Sequence, residues 1–226
     1  GQSSLAKIAR RIGLGVTLLD LGTGPGVLAR YLATSKGCVI DGVEYHPLQA
    51  EMAAPVYRKL QVADLEQARL ADLFPGKQYD IIICADVLEH LRDPGRILDQ
   101  LPALLKPAGR VLLSIPNVAY AGLIADLIAG NFHYSPEGLL DATHLRFFTR
   151  KSLLSLLARH GLSVTGLDTV PMHLQHSEFR ARFPDALPPV VYQYLLALPD
   201  ALTYQFIVEA MAGTGDLTGE SPAIIE

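Results

Sequence analysis

Cysteine is scarce in this 226-residue chain, with two residues in all. Cys38 and Cys84 sit in apolar runs, and neither a Cys-x-x-Cys nor a His-x-x-x-His spacing occurs. A disulfide framework and a structural zinc site of the usual spacing are thereby excluded. Both thiols are expected to be buried and inert, and no metal ligand set is expected. Basic charge is short as well: 19 Lys and Arg stand against 23 Asp and Glu, for a formal net charge of −4. No basic run concentrates it, which argues against nucleic acid as a partner. Long apolar runs are also missing. Segments 118–129 and 190–198 are far shorter than the ~20 residues a membrane-crossing helix needs. No secretory leader opens the chain. The simplest expectation is a cytoplasmic protein with no membrane span. The chain starts Gly1-Gln2-Ser3 without an initiating Met, which leaves room upstream for further residues, including a fused domain.

What is present is apolar bulk. Half the residues are hydrophobic and the mean hydropathy is +0.25, enough for the full core of one α/β domain. Ser3 or Ser4 caps a first helix through about residue 11. A strand at 17–20, a helix at 27–34, a strand ending at Glu44 and a helix at 48–53 follow. Next come a short strand at 60–65, a helix suggested over 66–72, and an apolar strand through Ile81 to Cys84. Asp93 and Pro94 open a helix over 96–105, and a fifth strand ends near Asn117. Alternation of this kind predicts a doubly wound parallel sheet, which binds ligands beyond the carboxyl ends of its strands. A helix over 118–129, an irregular stretch over 132–145 and a Thr149-capped helix over 151–160 lead to strands at 162–169 and 204–210. Residues 171–201 stand between those strands as an insertion holding one apolar helix. Residues 213–226 are rich in Gly, Thr, Ser and Pro and are expected to form a disordered tail.

The most informative run is Leu18-Leu19-Asp20-Leu21-Gly22-Thr23-Gly24-Pro25-Gly26. A buried strand ends in a carboxylate and passes through a glycine turn into a helix, where a ligand can lie against bare backbone and unpaired N–H groups. The same turn also occurs with no ligand at all. A dinucleotide fingerprint needs a third glycine where Val27 stands, which counts against a nicotinamide-dependent oxidoreductase. Glu44 lies about 24 residues beyond Asp20, near the ~20-residue spacing at which a carboxylate takes a ribose diol; its plainer role is a solvated strand end. Asp64 ends the third strand, or caps the helix after it.

This order of segments resembles the class I S-adenosylmethionine-dependent methyltransferases: Asp-x-Gly-x-Gly-x-Gly at Asp20 to Gly26, a carboxylate at Glu44, Leu88-Glu89-His90 after the fourth strand, and Leu104 to Asn117 as helix, turn and fifth strand. The resemblance implies a Rossmann-like sheet, mostly parallel with an antiparallel last strand and helices on both faces. S-adenosylmethionine is the implied cofactor, held by Asp20, Gly22, Thr23, Gly24, Gly26, Glu44, Tyr45, Asp64, Leu65, Ala85 and Asp86. One such domain is expected over 1–212. The phrase Asp141-Ala142-Thr143-His144-Leu145-Arg146-Phe147-Phe148-Thr149 resembles the methyltransferase-23 type, which has relatives among ubiquinone O-methyltransferases and MetW-like proteins.

The implied acceptor is a small molecule or glycan, methylated at oxygen in preference to nitrogen. His144 is the first candidate for a base, because imidazole titrates near neutral pH; His90 is second, and Asp141 and His133 follow. His144 has an equally weighted alternative, a structural hydrogen bond tying its loop to the helix at Thr149. Arg146 is a candidate to grip an acidic acceptor or to pair with Asp141 or Glu137. Phe147 and Phe148 read as core, and Tyr120 and Tyr134 as possible pocket walls. A regulatory cofactor-binding partner protein of MetW type remains the competing class. The apolar helix near 190–198 suits a cover for the site, a homodimer face or a lipid-linked substrate.

Overall fold

The computed structural model describes residues 3–180 and 187–213. The proposed tail lies outside the described residues from 214 onward, as does part of the insertion at 181–186. In chain order the elements are α1 (Ser4–Arg11), β1 (Thr17–Leu21), α2 (Val27–Lys36), β2 (Val39–Glu44), α3 (Pro47–Ala53), β3 (Lys59–Val62), α4 (Leu70–Leu73), β4 (Tyr79–Ala85), α5 (Pro94–Leu98), α6 (Leu101–Leu104), β5 (Leu105–Pro116), α7 (Ala121–Ile128), α8 (Arg150–Arg159), β6 (Leu162–Pro171), α9 (Pro189–Ala197) and β7 (Thr203–Ala212). The strands form one seven-stranded sheet in the order β3-β2-β1-β4-β5-β7-β6. β1 pairs in parallel with both β2 and β4, so the chain reverses its direction of winding between β1 and β4. β7 runs antiparallel between β5 and β6. This is the Rossmann-like sheet expected from the sequence.

The period-two alternation of strand side chains sorts the core into two faces. Leu19, Leu21, Ile82, Cys84, Val111 and Leu113 point to one face, where α5, α6 and α8 pack. Leu18, Ile40, Ile81, Ile83 and Leu112 point to the other, under α1 and α2. Both cysteines are buried free thiols. A third apolar cluster joins Leu123 of α7, Leu139, Leu140, Leu174, Phe179 and Leu195 of α9. The insertion therefore has its own small core, shared with the 132–145 stretch.

Several elements depart from the sequence reading. The helix over 96–105 is two short helices, since Pro102 opens a second one and Leu105 already belongs to β5. The helix over 66–72 contracts to Leu70–Leu73. Asp64 does not cap it: its Oδ1 accepts the Glu66 N–H at 2.9 Å and closes a local turn. The helix over 118–129 begins later, because Asn117 Oδ1 accepts the Ala119 N–H at 3.0 Å and holds a turn there. Phe148 is buried, but Phe147 is not a core residue, being 37% exposed.

α1 is fastened to the far edge of the sheet through Asp168 on β6. Lys7 Nζ lies 2.9 Å and Arg11 Nη2 2.8 Å from its carboxylate. Burial pushes the Asp168 carboxyl up, but the bonds from Lys7, the Thr169 N–H and Arg11 outweigh it and hold the group below its ordinary value of 3.8. A depressed folded value means the stabilisation is complete above the unfolded value and fades as pH falls through the folded one. Asp168→Asn is expected to cost about 1.5–3 kcal/mol near neutral pH, as for charge-assisted hydrogen bonds. The gap to wild type in urea unfolding should shrink in acid below about pH 4. A gap independent of pH would locate the effect in packing instead.

Candidate active site

The site is assembled at the carboxyl edge, where the winding reverses between β1 and β4. β1 delivers Asp20 and then the glycine turn. Gly22 lies at φ +71° with space filled tightly behind it: a Cβ there would come within 2.7 Å of Val87 Cγ2. Gly24 differs. It has φ +51°, yet an added Cβ would meet nothing nearer than Gln49 Oε1 at 3.6 Å. Its bare face is open, which suits close approach of a ligand to backbone.

β2 delivers Glu44, which is buried. Its Oε2 accepts the Gly24 N–H at 2.7 Å and its Oε1 accepts the His46 N–H at 2.8 Å. The carboxylate thus fixes the turn, and each oxygen keeps a second lone pair. The plain reading of Glu44 as a solvated strand end is set aside by this burial. Asp20 is buried too and accepts a bond of 2.6 Å from the Tyr57 hydroxyl. Burial raises the Asp20 carboxyl to about 6, against the Tyr57 bond, with the Glu44 charge adding to the rise. Tyr57 carried no sequence signal. It reaches Asp20 because Gly42 of β2 leaves room for its ring; a Cβ on Gly42 would stand 2.6 Å from Tyr57 Cε1.

The other predicted cofactor contacts are spread along the same edge. Thr23 and Leu65 are buried, while Tyr45 is exposed and meets His46 edge to face. Asp64 accepts Gln67 Nε2 at 3.1 Å besides the Glu66 N–H. Ala85 ends β4, and Asp86 follows in the left-handed region at φ +55°. A non-glycine residue held there is strained. Ser114 Oγ and Gln205 Nε2 hold it, donating to Asp86 Oδ1 at 2.8 and 2.9 Å.

Beyond Asp86 opens a cavity of about 840 Å³, lined in part by Glu89, His90, Asp141, His144 and Glu178. The Leu88–His90 turn and the 137–146 loop are tied together by the Glu89 carbonyl, which accepts the Leu145 and Arg146 N–H groups at 2.7 and 3.0 Å. The His90 and His144 rings meet edge to face with centroids 4.8 Å apart. His144 Nδ1 faces the Leu139 carbonyl at 3.1 Å, and His90 Nδ1 faces the Thr143 carbonyl at 3.3 Å. A carbonyl only accepts, so His144 Nδ1 carries the proton; His90 Nδ1 also meets the Thr143 hydroxyl at 3.1 Å, but that hydroxyl donates to Asp141 Oδ1 at 2.6 Å, so this ring takes the same form and each Nε2 keeps a lone pair. The structural hydrogen bond weighed for His144, to the helix at Thr149, is not the one formed: Nδ1 meets Leu139 within the loop, and Nε2 is left for the cavity. Burial lowers the His144 imidazole pKa, opposed by the Leu139 bond and helped by His90. Burial also raises the Asp141 carboxyl, but two bonds from Thr143 reverse that and leave it below its ordinary value.

Four expectations fail here. Arg146 pairs with neither Asp141 nor Glu137; its guanidinium donates to the Arg92 carbonyl, with Nε at 2.8 Å. Tyr120 is fully buried, with its hydroxyl on the Met172 carbonyl at 3.0 Å. His133 and Tyr134 are exposed and outside the cavity lining. The far wall comes from residues that no motif announced: Glu178 Oε1 accepts both the Leu139 N–H and the Tyr204 hydroxyl at 2.9 Å.

Sheet order, glycine turn and adjoining cavity define the class I methyltransferase architecture. The methyltransferase-23 family, described as a methyltransferase domain, matches residues 2–167, and the chain belongs to it. It is accordingly an S-adenosylmethionine-dependent enzyme, and the open face at Gly24 beside buried Glu44 and Asp20 fits that cofactor. Among its relatives, the ubiquinone biosynthesis O-methyltransferase of Pseudomonas paraeruginosa is 30% identical over 171 residues, covering 70% of this chain and 69% of that protein. The one from Coxiella burnetii is 27% identical over 166 residues, covering 70% and 69%. In fold, the [4+2]-cyclase SpnF superposes with a TM-score of 0.63 at 20% identity, covering 93% of this chain and 81% of that one. Magnesium protoporphyrin IX methyltransferase from Synechocystis, with bound S-adenosylhomocysteine, gives 0.62 at 17% identity, covering 94% and 83%. No helix among the described residues is long and apolar enough to cross a membrane.

Proposed function

We propose that this enzyme methylates an oxygen of a small-molecule or glycan acceptor seated in the 840 Å³ cavity. The observation that carries the reading is the cavity's position. It begins at Asp86, directly after the β4 end that closes the cofactor edge, and presents two imidazoles with free Nε2 lone pairs. The cofactor supplies a methyl group on a sulfonium, open to in-line attack. Around it, Gly22, Thr23, Gly24 and Gly26 allow close approach to backbone whose N–H groups are held by Val43, Glu44 and Thr23, and Asp20 steadies the turn through Tyr57. Glu44 offers its remaining lone pairs to the ribose hydroxyls, and Tyr45, Asp64 and Leu65 flank the adenine. Ala85 and Asp86 form the floor between cofactor and acceptor. His144 takes the acceptor's hydroxyl proton, with His90 beside it and Asp141 holding the loop through Thr143; positioning supplies the rest of the rate. Residues 1–212 act as one unit in this reading, with the described part of the 171–201 insertion as a cap over the cavity, in a cytoplasmic enzyme.

Calorimetric titration with S-adenosylmethionine and S-adenosylhomocysteine, followed by a screen of phenols and sugars for methylated product, tests it. Glu44→Ala is expected to weaken cofactor binding by ~1.5–3 kcal/mol, the worth of charge-assisted hydrogen bonds. An unchanged dissociation constant would remove Glu44 from the site. Product methylated at nitrogen only would replace the oxygen assignment.

A further inference from the structure

The acceptor cavity holds a feature that methyl transfer does not require. Glu89 is 1% exposed, and both of its carboxylate oxygens are buried with no hydrogen-bond partner. Buried polar groups are almost always satisfied, so an orphaned carboxylate lining a cavity needs a reason. Its neighbours supply one. Glu89, His90 and His144 each present one donor atom, and the three atoms lie within 4.8 Å of one another. Sequence spacing alone predicted no metal ligands, because His144 comes from a loop 54 residues beyond His90.

We propose that Glu89, His90 and His144 form a binding site for a nitrogen-preferring first-row divalent cation. Two neutral imidazoles and one carboxylate are the donor set of zinc and non-haem iron sites that keep open positions. The outer contacts follow the pattern of metal-bound histidine, in which the second ring nitrogen donates to a carbonyl or carboxylate and fixes the tautomer. Both rings show it, His144 to the Leu139 carbonyl and His90 to the Thr143 carbonyl. Bonds of ~2 Å to a cation would draw the three donors slightly together. Glu89 and His90 share one turn, and the Glu89 carbonyl already clasps the loop that carries His144, so closure is local. All three residues line the cavity. A cation here would acidify an acceptor hydroxyl, whose proton passes to solvent, and would take over the activation assigned above to free His144. That consequence rests on the proposed reaction; the binding site does not.

The test is made on the full chain, stripped of metal, with Zn2+ or Co2+ alone and neither cofactor nor acceptor present. One ion per chain is expected, with a rise in melting temperature and, for Co2+, visible d–d bands whose raised intensity marks a site of four or five ligands. Glu89→Gln and His144→Asn should each weaken binding by roughly a hundredfold or more, since even outer-shell losses reach ~10- to 100-fold. His133→Ala, at an exposed histidine outside the cavity lining, should leave it unchanged. Retained S-adenosylmethionine binding shows that each variant is folded. If Glu89→Gln fails that check, His90→Asn, at a less buried position, takes its place. Absence of bound ion, binding indifferent to Glu89 and His144, or binding lost only in the His133 variant would overturn the proposal. Metal binding without cofactor binding would instead sink the methyl-transfer assignment and leave the cation site standing.

Discussion

Gly24→Val is expected to weaken cofactor binding severely while leaving a folded protein. Two effects add. The backbone at Gly24 sits at φ +51°, where an L-residue pays ~1–2 kcal/mol and a β-branched one is a genuine outlier. The valine side chain would also occupy the one open face of the turn. Together they are expected to cost ~2–4 kcal/mol of affinity, roughly 30- to 1000-fold in the dissociation constant. Because the nearest atom to an added Cβ is a flexible Gln49 side chain at 3.6 Å, the fold has space for the change. Gly22→Val is the contrast, since its Cβ would collide with Val87 at 2.7 Å and its loss should register as instability. Calorimetry and thermal melts on both variants separate the two. Wild-type affinity in Gly24→Val would mean that the turn is not the cofactor site.

The central sheet was legible because buried parallel strands are short apolar runs that need no partner to be recognised. Ile81 to Cys84 and Leu18 to Leu21 are examples, and each ends where a carboxylate or glycine interrupts it. The glycine turn was legible for a related reason: positive φ and missing Cβ leave a local signature. What failed was decided over distance. Tyr57 reaches Asp20 from 37 positions away through a gap left by Gly42. Glu178 and Tyr204 wall the cavity by folding the insertion back onto Leu139. Arg146 looked like an anion clamp, but a backbone carbonyl at Arg92 takes its guanidinium. The short α5 and α6 read as one helix because Pro102 fits a first turn as well as it breaks an interior. The cluster of Glu89, His90 and His144 was invisible for the same reason, as one of its members is set by tertiary packing and not by spacing.

His144→Ala should lower turnover by ~10²- to 10⁴-fold, the range for losing a positioned proton acceptor. Cofactor affinity should stay within about twofold, because His144 lines the cavity and its Nδ1 is held by the Leu139 carbonyl. A structural role predicts something different. The His144 ring packs on His90 and its Nδ1 holds the Leu139 carbonyl, so truncation would loosen the loop. Loosening would reach Glu89, whose carbonyl binds the next two N–H groups, and from there Asp86 at the cofactor edge. Equal losses of turnover and cofactor affinity would therefore make His144 a strut. A drop in kcat alone would make it a participant in the reaction. His133→Ala provides the control: it removes an exposed imidazole from the same polypeptide stretch, outside the cavity lining, and should change neither quantity. A Glu89→Met variant adds a second axis. An orphaned buried carboxyl costs ~1–3 kcal/mol, so its replacement by an apolar chain of similar length should raise the melting temperature of the metal-free protein. That gain in stability should come with lost turnover, the trade expected where a residue is kept for chemistry at the expense of the fold.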